Sequence, residues 1–362
     1  MMSIILRNLS INIIAALIRD KKARDTFRDK YKIKPYKKLD AKRMFIFGSD
    51  IQDSCRKFCE EIDKPDLTEK YKNLIRGLDD ESINCISQII GRINLICQQN
   101  IGTYKNFKGG VDIFSEDELL QLDKLKKEFN QRILPLADGC YAYKQHILPV
   151  NQFRANVFYY KHDITKLRHL ERIKSKDIID AGGCIADSAI MMTEFTTGRI
   201  YTFEPTTVNY DIALKTIELN SAKNIIPVKQ GLGSKDESLF IKLCHENYGE
   251  NKITKDQFAQ ENSDDYEQIS ITSLDNFVKG KDLDIGLIKV DVEGFEQEFL
   301  KGAYNTIKKY KPAMLISIYH STSDFFDIKP MIESWDLGYT FKVSRPVDGG
   351  LLDETMLICE QD

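Results

Sequence analysis

The stretch that decides the fold is DIIDAGGCIADSAI, Asp177–Ile190. A short apolar run ends in an acid, turns on Gly182 and Gly183, and opens a helix that carries Ser188 and Ala189. Glycine reaches backbone angles closed to other residues and lets a chain pass close to a ligand. Cofactor loops are built this way, yet this turn is short of glycines for the usual dinucleotide fingerprint. The pattern repeats downstream. DIIDA (177–181), RIYTFE (199–204), NIIPVK (224–229), DIGLIKV (284–290) and AMLISIY (313–319) read as strands, with helices such as 208–220 and 296–309 between them. Strands alternating with helices predict an α/β domain whose largely parallel sheet is covered on both faces. Ligands of such sheets bind beyond the carboxyl ends of the strands, so those ends carry the chemistry.

RIYTFE runs into Pro205, which stops the strand and aims the chain outward. Glu204 lies 22 residues beyond Gly182. That is close to the spacing of about 20 at which a carboxylate accepts hydrogen bonds from ribose hydroxyls. The strand at 284–290 leads into Lys289-Val290-Asp291-Val292-Glu293-Gly294. Period two puts Lys289, Asp291 and Glu293 on one side while strand geometry lasts. Charges at the end of an apolar strand are costly without partners. Either Lys289 pairs with Asp291 internally, or Asp291 and Glu293 serve a ligand; their position at the binding edge favours the second. ISIYH brings His320 to the tip of the next strand, where an imidazole of near-neutral pKa is a natural proton acceptor. His146, His162, His169 and His245 have no comparable placement.

A chain of 362 residues has room for two domains. The change of pattern divides it into a mainly helical accessory domain with a small α/β element, residues 1–150, and the α/β domain, residues 151–362. With 42% hydrophobic and 30% charged residues the chain is of the globular class, and a net charge of -3 argues against a nucleic-acid partner. Eight cysteines form no CxxC pair, and Cys55 and Cys59 have no further ligands at zinc spacing. Reduced thiols in the cytoplasm are the simplest account. The opening IILRNLSINIIAALI is broken by Arg7, Asn8 and Asn12 and reads as an amphipathic helix, not a membrane span or a cleaved leader. Arg19–Arg43 then carries twelve Lys or Arg against four Asp. A surface helix packed on its own domain is the plainer reading; peripheral contact of residues 1–43 with the inner, anionic membrane face is the other. Met44–Phe47, stopped by Gly48, begins a strand–turn–helix that sets Ile51, Cys55, Phe58, Cys59 and Ile62 on one face. Ser115–Phe129 reads as a helix with Ser115 as N-cap and Glu118 three residues on. RILPLADG and HILPVNQF read as turns.

Taken in order, DIIDAGGCIADSAI, IYTFEP, NIIPVKQGLGSKDE, ITSLDNFV, LIKVDVEGFEQEFLKGA, KPAMLISIYH and DETMLI resemble the FkbM family of methyltransferases over roughly residues 157–360. The most specific piece is KVDVEGFEQEFLKGA. The resemblance implies a Rossmann-like class I methyltransferase fold, a mostly parallel seven-stranded sheet flanked by helices, with S-adenosyl-L-methionine as cofactor. It implies O-methylation of a hydroxyl on a sugar or glycan, such as a surface polysaccharide. By the same resemblance Asp180, Gly182, Gly183, Cys184, Asp187 and Ser188 belong to the cofactor loop, and Glu204, before Pro205, holds the ribose. Gly183, Cys184 and Ala186 stand where the family has Ala, Asn and Gly, which makes Cys184 and Ala186 suspects for altered cofactor affinity. Asn220 and Asp275 match an Asn closing a helix and the Asp of SLDNF; Asp291, Glu293 and Gly294 match the catalytic edge, and His320 a histidine of one subgroup. His320 is expected as general base, with Asp291 or Glu293 orienting it or the hydroxyl; Asp291 is the alternative base. No metal is expected, although Asp291, Glu293 and His320 offer an O,O,N ligand set. A catalytically altered cofactor-binding relative or scaffold, and a methyltransferase for a non-sugar small molecule, are the competing readings. A homo-oligomer stays open.

Overall fold

In the computed structural model, residues 58, 60–62, 64–98, 114–244, 251–254 and 265–362 are described. The opening helix, the basic segment, the strand and turn at 42–50, and Cys55, Cys59 and His245 lie outside them. Ahead of the sheet the described residues include the helices α1 Leu67–Ile75, α2 Asp80–Gln98 and α3 Glu116–Glu128. The Ser115–Glu118 capping box forms as expected, the serine side chain accepting from Glu118 N and the glutamate reaching back. RILPLADG and HILPVNQF are more than turns. Leu134–Pro135, Tyr141–Tyr143 and His146–Leu148 pair as a small antiparallel sheet, which gives their backbone groups partners.

The central sheet has seven strands: β1 Asp177–Ala181, β2 Ile200–Phe203, β3 Ile225–Val228, β4 Ile285–Val290, β5 Ala313–Ser317, β6 Tyr339–Ser344 and β7 Met356–Gln361. Their order is β3-β2-β1-β4-β5-β7-β6. Strands β3 to β5 run parallel, and β7 is antiparallel to both of its neighbours. Helices α4 Asp187–Met192, α5 Thr207–Leu219, α6 Glu296–Tyr310 and α7 Thr322–Glu333 follow β1, β2, β4 and β5. Every residue of β1, β2 and β4 is buried, which is why these strands read as continuous apolar runs.

The order of strands reverses between β1 and β4, so their carboxyl ends open the crevice where ligands of such sheets bind. The two ends are tied together. Asp291 N donates to Ala181 O at 3.0 Å, and Gly182, at φ +82, packs so tightly that a Cβ would lie 1.7 Å from the Asp291 carbonyl oxygen. Only glycine meets both conditions.

Between β3 and β4 lies a second sheet that sequence reading did not anticipate. Its strands Gly231–Leu232, Tyr266–Thr272, Glu237–Lys242 and Lys252–Thr254 pair in that order. Ile241, Ile269 and Ile271 form its core. At the other edge, α1 and α2 lie against α7 and β6. Phe58 meets Phe325 edge-on at 5.3 Å, Arg76 pairs with Glu333 at 2.8 Å, and Val343 N donates to Ser82 Oγ at 2.9 Å. A helix thus covers an edge strand that would otherwise offer unpaired backbone. The described residues all fall within one compact unit. Among the described residues, no helix is long and apolar enough to cross a membrane.

Candidate active site

Behind the glycine turn sits a closed polar cluster. Asp180, fully buried, accepts from Ser188 Oγ at 2.7 Å and Thr202 Oγ1 at 2.8 Å. Lys289 Nζ lies 3.3 Å from the other Asp180 oxygen and donates to the Gly182 carbonyl at 2.8 Å. Burial works to lower the lysine pKa, but Asp180, Asp291 and Asp187 outweigh it and hold it above its ordinary value. This cluster fixes the turn. Gly183 serves the same support: a Cβ there would meet Thr202 Oγ1 at 1.8 Å. Asp187 and Ser188, at the start of α4, are also buried. Cys184 and Ala186 adopt left-handed backbone at φ 48 and 61, where Asn and Gly are at ease and other side chains cost about 1–2 kcal/mol. The shortage of glycines is therefore a backbone matter as well as a side-chain one.

In front of the turn the polar groups are arranged differently. Strand geometry ends at Val290, and Glu293 and Gly294 turn through positive φ, 54 and 95. Left-handed backbone at a non-glycine residue beside a cleft is the kind of strain that functional sites keep. His320 is buried against three carboxylates: its Nδ1 is 2.9 Å from Glu296 Oε1, and its Nε2 is 3.5 Å from Asp291 and 3.6 Å from Glu293. The ring also packs on Tyr319, centroids 4.1 Å apart. Burial alone would lower the histidine pKa, but Glu296, Asp291 and Glu293 raise it to about 10. Burial raises Asp291, yet the cations of Lys289 and His320 prevail and hold it below the usual carboxylate range. Glu293 is pushed up to about 7 by burial, with His320 pulling the other way.

Asp291, Glu296 and His320 also bring ligand atoms within 4.8 Å of one another, close enough to gather round a divalent cation. Glu296 Oε1, however, already accepts from Val292 N at 2.9 Å and faces His320. A protonated His320 offers the same carboxylates a counter-charge.

The cleft itself, about 680 Å³ with its open mouth, is lined by Gly182, Cys184, Glu204, Pro205, Asp291 and Glu293 among the residues expected from sequence. Asp180, Gly183, Asp187, Ser188 and His320 stand behind that lining. Glu204 accepts from Thr206 N at 2.9 Å and Thr206 Oγ1 at 2.6 Å. Burial raises its pKa to about 7 against those hydrogen bonds and one from Asn209. The second sheet contributes Ile241, Ile253 and Ile271, and Phe295 adds an aromatic face. Sequence reading missed this wall, and it missed Arg154 and Glu296. Arg154 lies 30 residues before Cys184, its thiol partner at 3.4 Å. No local pattern links them.

Residues 180–341, from the last acid of β1 into β6, match the methyltransferase FkbM domain. Over that stretch the chain is similar to a methyltransferase domain of the FkbM type. An FkbM domain is an S-adenosylmethionine-dependent methyltransferase unit, and the strand order above is that of the class I fold. Methyltransferase 1 of Beauveria bassiana (strain ARSEF 2860) is 26% identical across 47% of this chain and 74% of its own. The methyltransferase FkbM structure from Methylobacillus flagellatus KT aligns at TM-score 0.49 and 18% identity, covering 81% of this chain. The chain spans 58% of that protein's length. An rRNA methylase from Streptococcus thermophilus aligns at TM-score 0.31 and 12% identity, over 56% of this chain and 93% of its own.

The donor set of this cleft fits S-adenosylmethionine. A carboxylate, Glu204, stands at the end of β2 for vicinal hydroxyls, an apolar wall of isoleucines and Phe295 is available for a flat base, and one cation faces the cleft at Cys184.

Proposed function

We propose that this protein transfers the methyl group of S-adenosylmethionine to a hydroxyl of a sugar or glycan, with Glu293 as the base. The observation that carries the reading is the carboxylate of Glu293: it lines the cleft, is 28% exposed, and is pushed to about 7. A base with a pKa near the working pH is the efficient one for taking a hydroxyl proton. His320, expected from sequence as the base, is a poor acceptor once three carboxylates hold its proton. Its role in this reading is that of a fixed cation. It keeps Asp291 and Glu293 in position and draws the Glu293 pKa down toward neutrality.

When bound, S-adenosylmethionine supplies an electrophilic methyl with a good leaving group, so the protein's task is alignment and proton removal. Glu204 takes the ribose hydroxyls, and Ile241, Ile253, Ile271 and Phe295 shield the base from water. Asp291 and Tyr319, whose hydroxyl lies 3.4 Å from Asp291, orient the acceptor hydroxyl toward Glu293. The carboxylates of Asp291 and Glu293, which line one end of the cleft, favour a neutral polyhydroxylated acceptor over an anionic one. Methylation of a glycan panel with labelled cofactor tests this. Transfer to neutral glycans in the wild type and its loss in Glu293→Gln is expected; transfer only to non-sugar acceptors overturns the substrate reading. The basic segment before residue 43 supports a cytoplasmic protein with peripheral contact at the inner membrane face. Vesicle flotation with and without residues 1–43 decides that point, and equal behaviour of the two chains removes it.

A further inference from the structure

Arg154 is the only cation among the described residues that line the cleft. It sits just before the one-turn helix Ala155–Phe158, ahead of the matched domain, and reaches the turn after β1. Its Nη2 donates to Cys184 Sγ at 3.4 Å, and among the described residues it makes no ion pair. A thiol is a weak acceptor. Burial pushes the Cys184 thiol up to about 12, so it stays neutral and offers the guanidinium no counter-charge at contact. The carboxylates close enough to act on Arg154 are those of Asp187, Glu354 and Asp291. None of the three forms an ion pair with Arg154 among the described residues, and two of them also serve other groups. Asn156 donates to Glu354, which burial raises to about 8. Asp291 faces Lys289 and His320, and burial raises Asp187. A guanidinium presents five donors in a planar fork that matches a carboxylate two bonds at a time.

We infer that Arg154 binds the carboxylate of the cofactor's methionine moiety beside Cys184. The inference rests on the methyltransferase reading of the cleft. The location decides between a carboxylate on the cofactor and one on the acceptor: Cys184 belongs to the turn whose Gly182 lies against Asp291, and Asn209 reaches from the Glu204 side to the same thiol at 3.9 Å. Arg154 and Glu204 are therefore linked through Cys184 and Asn209, which places them at two ends of one ligand site. It also gives Cys184 a function: a small neutral side chain there leaves the guanidinium free for its ligand.

The test compares two ligands that share nucleoside and thioether. S-adenosylhomocysteine carries the amino-acid carboxylate; 5′-deoxy-5′-methylthioadenosine lacks it. Both are titrated calorimetrically into the full-length wild type, Arg154→Lys and Arg154→Met. The wild type is expected to prefer S-adenosylhomocysteine by roughly 10- to 100-fold, the loss expected for one charge-assisted pair. The preference should shrink in Arg154→Lys and vanish in Arg154→Met, while affinity for the carboxylate-free ligand stays constant. A wild type without the preference, or a variant that keeps it, overturns the inference. So does loss of both ligands from both variants, because the nucleoside end should not depend on Arg154. Wild-type protein that binds neither ligand overturns the methyltransferase reading itself, and this inference with it.

Discussion

Behind the Gly182 turn, Lys289 meets Asp180; in front of it, His320 meets Asp291, Glu293 and Glu296. Both are buried cations among carboxylates at the ends of neighbouring strands, but their surroundings differ. Asp180 is fully enclosed, and its hydrogen bonds come from Ser188 and Thr202. Around His320 the carboxylate of Glu293 is left facing the cleft. The comparison teaches that charge at a strand end does not itself mark chemistry. What separates the two is access: Glu293 faces the cleft, whereas Asp180 is fully enclosed.

The largest effect should come from breaking the rear pair. Lys289→Met leaves Asp180 buried without its cation and should cost about 3–5 kcal/mol of stability, read as a lower denaturation midpoint. Near-native stability with selective loss of turnover would instead move Lys289 to the reactive side. In front, Glu293→Gln should lower turnover by about 10²- to 10⁴-fold while unfolding and S-adenosylhomocysteine affinity stay as in the wild type. Unchanged turnover would remove Glu293 as base.

The pH profile sharpens the contrast further. Glu293 must be deprotonated and His320 protonated, so kcat/KM should rise with pH through about 7 and fall through about 10. Because the His320 cation draws the Glu293 pKa down, His320→Gln should move the rising limb to higher pH. A histidine base predicts another result, loss of the rate at every pH without displacement of the limb. The smallest expected effect is that of a chelator, which should leave turnover unchanged. Activity lost to chelation and restored by a divalent ion would reassign Asp291, Glu296 and His320 as its ligands.

Much of this was legible in the sequence because fully buried parallel strands announce themselves. β1 to β4 fall within a residue of their apolar runs, whereas β5 stops at Ser317, before Tyr319. Glu204 and the KVDVEG edge were readable because strand ends carry ligands in such sheets. The second sheet escaped notice because ESLFIK and YEQISIT are half-exposed and alternate, so they lack a continuous apolar signal. The surroundings of His320 could not be read from the sequence. Its protonation depends on Glu296, which enters from the first turn of α6, and on a turn at Glu293 that strand periodicity does not foresee. Arg154 was hidden for a related reason: its partner is distant in sequence, and only tertiary packing joins them.

The central claim is that the crevice between β1 and β4 holds S-adenosylmethionine with its methyl end at Glu293. A crystal structure with S-adenosylhomocysteine tests it most directly. The account predicts ribose hydroxyls on Glu204 and the thioether sulfur facing Glu293; a nucleoside bound elsewhere, or a sulfur turned away from Glu293, would contradict it.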